Sequence, residues 1–115
     1  MITIRNYKTN EVIVQAESLK DIVWQDYNFS YANLSNLDLS DLDLSNTNLT
    51  WAKLDYTYCK DADFTGATLI EASCKYITLT GANLENADCR YTNFTGATLN
   101  GANCTDADFT DAILP

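Results

Sequence analysis

Residues 62–72 read Ala62-Asp63-Phe64-Thr65-Gly66-Ala67-Thr68-Leu69-Ile70-Glu71-Ala72, and alanine returns in them every five residues. A step of five fits neither the 3.6-residue turn of a helix nor the two-residue alternation of a flat strand. Outward from this stretch the period holds from Phe29 to Leu114, where every fifth residue, eighteen in all, is Leu, Phe or Cys. All four phenylalanines and all four cysteines of the chain fall in that register. Two residues before each of these centres the slot is alanine in eleven of the eighteen units, the exceptions being Tyr27, Leu37, Leu42, Thr47, Thr57, Ile77 and Thr92.

Residues two apart share a face only in extended chain, so the small slot and the bulky centre point inward with a polar residue between them. Because five is odd, an uninterrupted strand would turn its buried face outward at the next unit, and a corner must intervene to restore the phase. The slot two after the centre supplies it. There lie Gly66, Gly81, Gly96 and Gly101, every glycine in the chain, with Asn36, Asp41, Asn46, Asp61, Asn86, Asp106 and Asp111. These residue types tolerate positive φ and make tight turns. A chain that bends the same way every five residues coils, and stacked coils pair their backbones at about 4.8 Å, which makes a solenoid.

Units such as Ala32-Asn33-Leu34, Ala62-Asp63-Phe64 and Ala82-Asn83-Leu84 resemble the pentapeptide-repeat family, and the resemblance runs over residues 27–114. It implies an all-β fold, a right-handed quadrilateral β-helix with four units per coil. Residues 27–115 would then form about four and a half coils, roughly 20 Å tall at strand spacing. Leu37 and Leu42 depart from alanine early in the array, as expected where a larger inward side chain packs against a cap.

A solenoid exposes core and strand edges at its ends unless they are covered. Residues 1–26 read as that cover at the N-terminus, within a single domain. Met1–Tyr7 and Val12–Ala16 alternate around the turn Lys8-Thr9-Asn10-Glu11, the pattern of a hairpin. Ser18 with Asp21, followed by Ile22 and Val23, reads as a capped helical turn; alternatively Ile22 and Trp24, which sit in register, form one more unit. At the other end Leu99, Cys104, Phe109 and Leu114 lie close to an open coil. Two such ends meeting would bury them symmetrically, so a homodimer through the C-terminal coils is expected, with a frayed monomer as the alternative.

Composition bounds the function. A chain of 115 residues, 46% apolar and 20% charged, is one soluble globular domain. Arg5, Lys8, Glu11, Glu17 and Lys20 interrupt the first twenty residues, so no secretory signal or spanning helix can be drawn and the chain reads as cytoplasmic. A net charge of −9 disfavours direct binding to nucleic acid or anionic membrane and favours cationic partners. With no histidine, and no phosphate-cradling loop, neither an enzyme nor a cofactor is expected. Cys59, Cys74, Cys89 and Cys104 recur at fifteen and spiral up the core, the first about 14 Å from the last along the axis. Four thiolates on zinc sit within roughly 4.6 Å of one another, so core filling is the expected role.

The outward slots carry the candidate sites. If four units make a coil, residues twenty apart stack, and one side presents Asp43, Asp63, Glu85 and Asp106 without a base. Some relatives that confer fluoroquinolone resistance are thought to mimic duplex DNA on gyrase, and this acidic side is similar; a solvated face is the plainer reading. Tyr31, Trp51, Tyr56, Tyr76 and Tyr91 fill corner slots where Gly, Asn or Asp is expected, and Tyr58 adds another outward ring. Lys53 and Lys75 lie between those corners. This surface is either a binding hot spot or a ladder of stacked rings that stiffens the corner. The expected function is a non-enzymatic, rigid, acidic rod that binds a protein partner. The alternatives are a DNA mimic acting on a type II topoisomerase or another DNA-binding protein, and a purely structural self-assembling protein.

Overall fold

A computed structural model describes residues 1–115. Its repeating bond is the corner. In each unit the N–H of the small slot donates to the C=O of the preceding centre, as in Ala32 to Phe29 (3.0 Å) and Ala67 to Phe64 (2.9 Å). The residue before that donor has positive φ, the signature of a type II turn. All seventeen corner positions from Tyr31 to Asp111 fall between +55° and +72°, including Glu71 and the five aromatic residues.

Coils stack with a period of twenty. Fourteen parallel bridges each join a residue to the one twenty further on, from Asn28 with Asn48 to Asn93 with Ile113. The ladder runs through bonds such as Leu34 N–H to Lys53 C=O (2.8 Å) and Lys53 N–H back to Ala32 C=O (2.9 Å). Twenty residues are four units, so the coil has four sides. Side one begins at residues 27–31, side two at 32–36, side three at 37–41 and side four at 42–46, and each recurs every twenty residues.

The outward residue before each centre has a structural duty that its exposure conceals. Wherever that slot holds Asn or Asp, its Oδ1 accepts the N–H two residues on; examples are Asn28 with Ser30 (2.9 Å), Asp63 with Thr65 (2.9 Å) and Asn103 with Thr105 (3.1 Å). These side chains hold the approach to the corner. Where side two has Ser73 in that slot, Asp55 reaches up from the coil below and accepts from Ser73 Oγ (2.6 Å) and Lys75 N–H (2.9 Å).

The interior is filled by the two inward slots. Every centre from Phe29 to Phe94 is buried, as are Thr47, Thr57 and Thr92 in the small slot. Thr57 Oγ1 donates to Leu54 C=O (2.8 Å) and Thr92 Oγ1 to Leu69 C=O (2.6 Å), so those hydroxyls are satisfied inside the core. Leu37 and Leu42 are half-buried on the core, and Leu42 lines cavities shared with Ile2, Leu19 and Ile22 of the N-terminal residues.

Strands β1 (Ile2–Arg5) and β2 (Val12–Ala16) pair antiparallel. The chain after β1 then lies antiparallel on side two of the first coil. Asn6 bridges Ala32, Asn33 N–H donates to Arg5 C=O (2.9 Å) and Tyr7 N–H to Tyr31 C=O (2.9 Å). Two 3-10 turns follow, Leu19–Asp21 and Trp24–Asp26, with Ser18 Oγ accepting Lys20 N–H (3.2 Å) at the first. Ile22 and Trp24 are buried in the register of a repeat unit, and Tyr27 N–H to Trp24 C=O (3.4 Å) copies the corner bond. The backbone does not complete the unit: Asp26 lacks positive φ and no bridge forms at Val23. Gln25 Nε2 covers the edge instead, donating to Ser45 C=O (2.8 Å) and Asp43 C=O (3.3 Å).

Candidate interaction surfaces

Five of the six aromatic candidates gather on the two corners flanking side two, and Tyr58 points outward on side three, bridged to Asp38. Tyr31 and Trp51 stack at 6.2 Å between centroids with planes 6° apart, and Tyr56 and Tyr76 stack at 5.1 Å and 13°. A left-handed backbone at a bulky residue costs about 1–3 kcal/mol, and the stacking returns about 0.5–1.5 kcal/mol per pair. Tyr91 occupies the same corner as Tyr31 and Trp51 but Glu71 stands between them, and no ring packs on Tyr91 or Tyr58. Both are more than half exposed, at 51% and 61%. The ladder reading therefore accounts for four of the six rings and leaves these two.

Sequence reasoning missed the contribution of the hairpin. Tyr7 Oη donates to Trp51 C=O (2.6 Å), its ring meets Tyr31 edge-on at 5.9 Å, and Lys53 Nζ lies 4.2 Å from its centroid. Lys8 Nζ lies 4.7 Å over Tyr31. Partial burial, and then the neighbouring Tyr31, push the Tyr7 phenol up. Tyr7 lies outside the repeat register, so no spacing marks it as a neighbour of Tyr31. On a chain of net charge −9, side two itself carries Lys53 and Lys75 against Asp55, and its corners add Glu71 and Asp111.

On side four Asp43, Asp63 and Glu85 make no ion pair, nor does Asp106 at the following corner; the one salt bridge joins Arg90 to Asp88 (2.8 Å) on side one. The side is not simply a row of free carboxylates, however. Asp43 Oδ1 accepts Ser45 N–H (3.0 Å) and Oγ, and Asp63 Oδ1 accepts Thr65 N–H and Oγ1 (2.6 Å). Hydrogen bonds from Ser45 hold the Asp43 carboxyl below the ordinary carboxylate range. Asp43 and Asp63 face one another across a parallel bridge.

In the last coil Leu99, Cys104 and Phe109 are half-buried, and Leu114 is 55% exposed. Phe109 packs edge-on against Phe94 at 5.8 Å. Cys59, Cys74 and Cys89 are buried free thiols. Burial pushes Cys59 and Cys89 up to about 12 and Cys74 upward as well, so all three are neutral hydrophobes at neutral pH.

A family model for pentapeptide repeats, eight copies, matches residues 25–57, 43–73 and 78–114. No curated protein matches the chain. Among solved structures, HetL, a pentapeptide-repeat protein involved in heterocyst differentiation regulation in the cyanobacterium Nostoc sp. strain PCC 7120, is 37% identical with a TM-score of 0.71 over 72% of this chain and 38% of its own. Rfr23 from the cyanobacterium Cyanothece 51142 is 34% identical with a TM-score of 0.71, over 72% of this chain and 56% of its own. A pentapeptide-repeat protein of the Arabidopsis thaliana thylakoid lumen is 33% identical with a TM-score of 0.69, over 70% of this chain and 56% of its own. The chain thus spans about half or less of each of these neighbours. The unbroken register of five, the rungs twenty residues apart and these matches converge: the chain belongs to the pentapeptide-repeat family, whose members fold as right-handed β-helices.

Proposed function

We propose that the protein works without catalysis, as a rigid acidic rod that presents the aromatic face of side two to a protein partner. Tyr91 is the observation that carries this function. It is held at φ +61° by the corner and rung bonds shared by every unit, is 51% exposed and has no ring partner, so its ring is left free to meet another molecule. With Trp51, Tyr56 and Tyr76, and with Tyr58 outward on the adjoining side three, it forms the kind of exposed aromatic surface that anchors interfaces. Lys53 and Lys75 suit a partner that offers carboxylates beside an apolar group.

Two readings rest on other surfaces. The stacked Asp43 and Asp63 favour mimicry of a nucleic-acid backbone toward a DNA-binding enzyme such as a type II topoisomerase. The partly exposed Leu99, Cys104, Phe109 and Leu114 favour a homodimer through the last coil.

Affinity capture from the host separates the three. Wild type is compared with Trp51→Ala/Tyr56→Ala/Tyr76→Ala and with Asp43→Asn/Asp63→Asn/Glu85→Gln. Asparagine keeps the Oδ1 acceptors, so the acidic set changes charge and spares the corners. Loss of the captured protein, at least tenfold, with the aromatic set alone is the expected result. Full retention by that set would sink the aromatic reading. Loss with the acidic set, together with inhibition of DNA supercoiling by wild type, would establish mimicry instead. A Phe109→Glu variant that converts a dimer to a monomer in light scattering reports on self-association.

A further inference from the structure

The N-terminal edge of the first coil is covered unevenly. On side two the chain after β1 pairs with it, and on side four the Gln25 amide meets its carbonyls. Side three is left open. One coil further on, Tyr58 N–H donates to Leu37 C=O (3.0 Å), Tyr58 C=O accepts from Leu39 (2.7 Å) and Lys60 C=O accepts from Asp41 (3.0 Å). The equivalent groups of the first coil, Asp38 N–H, Asp38 C=O and Ser40 C=O, have no partner. Residues 17–21 lie at the chain distance of the missing strand, but they are taken up by the 3-10 turn Leu19–Asp21 and do not reach the edge.

A notch of about 380 Å³ lies between that turn and this edge. Its floor is apolar, from Ile2, Leu19 and Leu42, and its rim bears Glu17, Asp38 and Asp41 against the single cation Lys20. Side one also leaves the Asn28 and Ser30 carbonyls free, but no cavity opens beside it. A second cavity of about 240 Å³ borders side four, lined by Ile22, Val23, Trp24, Asp41 and Asp43, but there the Gln25 amide already occupies the edge carbonyls. An edge with both carbonyls and its N–H free beside an apolar floor and an acidic rim is found on side three alone.

We propose that this edge accepts an extended, cationic peptide segment of a partner protein as an added strand. The segment supplies the three missing backbone hydrogen bonds to Asp38 and Ser40, seats one apolar side chain on Leu19 and Leu42, and sets its basic residues against Glu17, Asp38 and Asp41. Backbone pairing gives the affinity, the notch fixes the register, and the rim selects positive charge. The hydrogen bonds from Ser40 hold the Asp38 carboxyl below the ordinary carboxylate range. This inference extends the interaction-module reading to a second surface, and its test tells that edge from the aromatic face by where the amide shifts fall.

The probe is a synthetic decapeptide that alternates Lys or Thr with Leu, its control the same peptide with Glu for Lys, both titrated into the full 15N-labelled chain. Expected are amide shifts concentrated on Leu19, Asp38, Ser40 and Leu42, slowed exchange of the Asp38 amide, and no binding of the Glu peptide. Glu17→Lys, an exposed residue that makes no hydrogen bond through its side chain, should weaken the Lys peptide at least threefold at low salt and leave the fold unchanged. Absence of binding, equal binding of the two peptides, or shifts centred on Trp51 and Tyr76 would each overturn the proposal. The last of these would leave the aromatic function standing.

Discussion

A Cβ placed on Gly96 would lie 2.5 Å from Cδ1 and Cε1 of Tyr76, because the Tyr76 ring leans along the corner onto the coil above. Asn46 lies over Gly66 and Asp61 over Gly81 in the same way. Glycine at these corners thus answers two demands, a φ near +70° and a side chain arriving from twenty residues earlier.

Gly96 and Gly101 separate those demands. Both have positive φ, at +70° and +72°, but a Cβ on Gly101 would meet nothing nearer than Gly81 N at 3.9 Å. Gly101→Ala should cost only the backbone strain, about 1 kcal/mol. Gly96→Ala should cost that and a further ~1 kcal/mol for the displaced ring. Urea unfolding measures both, and Gly96→Ala/Tyr76→Ala should remove the excess. Equal losses for the two single variants would show that the ring moves aside freely.

The outward aspartates separate hydrogen bonding from charge, because surface charge alone would make their replacement by asparagine or alanine equally favourable. Asp63→Asn should be neutral or better, since it keeps the Oδ1 acceptor and relieves repulsion, whereas Asp63→Ala should lose about 1 kcal/mol. Acidification follows the same bonds. Asp38, Asp43, Asp88 and Asp108 are held below the ordinary carboxylate range, chiefly by hydrogen bonds from Ser40, Ser45, Arg90 and Thr110 respectively. A lowered folded-state pKa gives stability that is present above the unfolded value, near pH 4, and is lost as pH falls through the folded one. Unfolding midpoints should be flat from pH 7 to about pH 5 and fall below pH 4, less steeply in Asp43→Asn.

The period of five made the coil, its inward slots and its corners legible, because each is a local rule repeated until chance is excluded. Glu71 was not read as a corner residue: glutamate has no preference for positive φ, and only the neighbouring turns force it there. The duty of Asp43 and Asp63 was hidden for a different reason. An exposed carboxylate and a backbone-capping one look alike in sequence, and the serine or threonine two residues on was the available signal. The place of Tyr7 against Tyr31 and Trp51 was beyond reach, since it depends on how a non-repeating hairpin docks on the array.

The cysteines predict a graded reactivity. Cys59, Cys74 and Cys89 are buried with raised pKa values, while Cys104 is only half-buried in the last coil and raised by that partial burial. A thiol reagent at mildly alkaline pH should modify one group per chain, Cys104, and the other three only after denaturation. Prompt modification of Cys74 in the native protein would mean that the core opens. Protection of Cys104 in concentrated samples, lifted by dilution, would instead report a covered end.

Threonine in the small slot offers the sharpest test of the core. Thr92 and Thr47 are equally enclosed, but Thr92 Oγ1 donates to Leu69 C=O at 2.6 Å, whereas the Thr47 hydroxyl has only a 3.4 Å contact with Ser45 C=O. Valine matches threonine in shape and lacks the hydroxyl, so each substitution weighs one hydrogen bond against one desolvated polar group. The Leu69 carbonyl also accepts Ala72 N–H (3.0 Å), so Thr92→Val leaves no orphaned acceptor and should cost about 1 kcal/mol. Thr47→Val loses little and buries an added methyl, and should be neutral or stabilising. Thermal unfolding of the two variants should therefore shift in different directions or by clearly different amounts. Identical shifts would mean that the inward slot senses only volume, and that the hydroxyls of Thr57 and Thr92 do not hold the core.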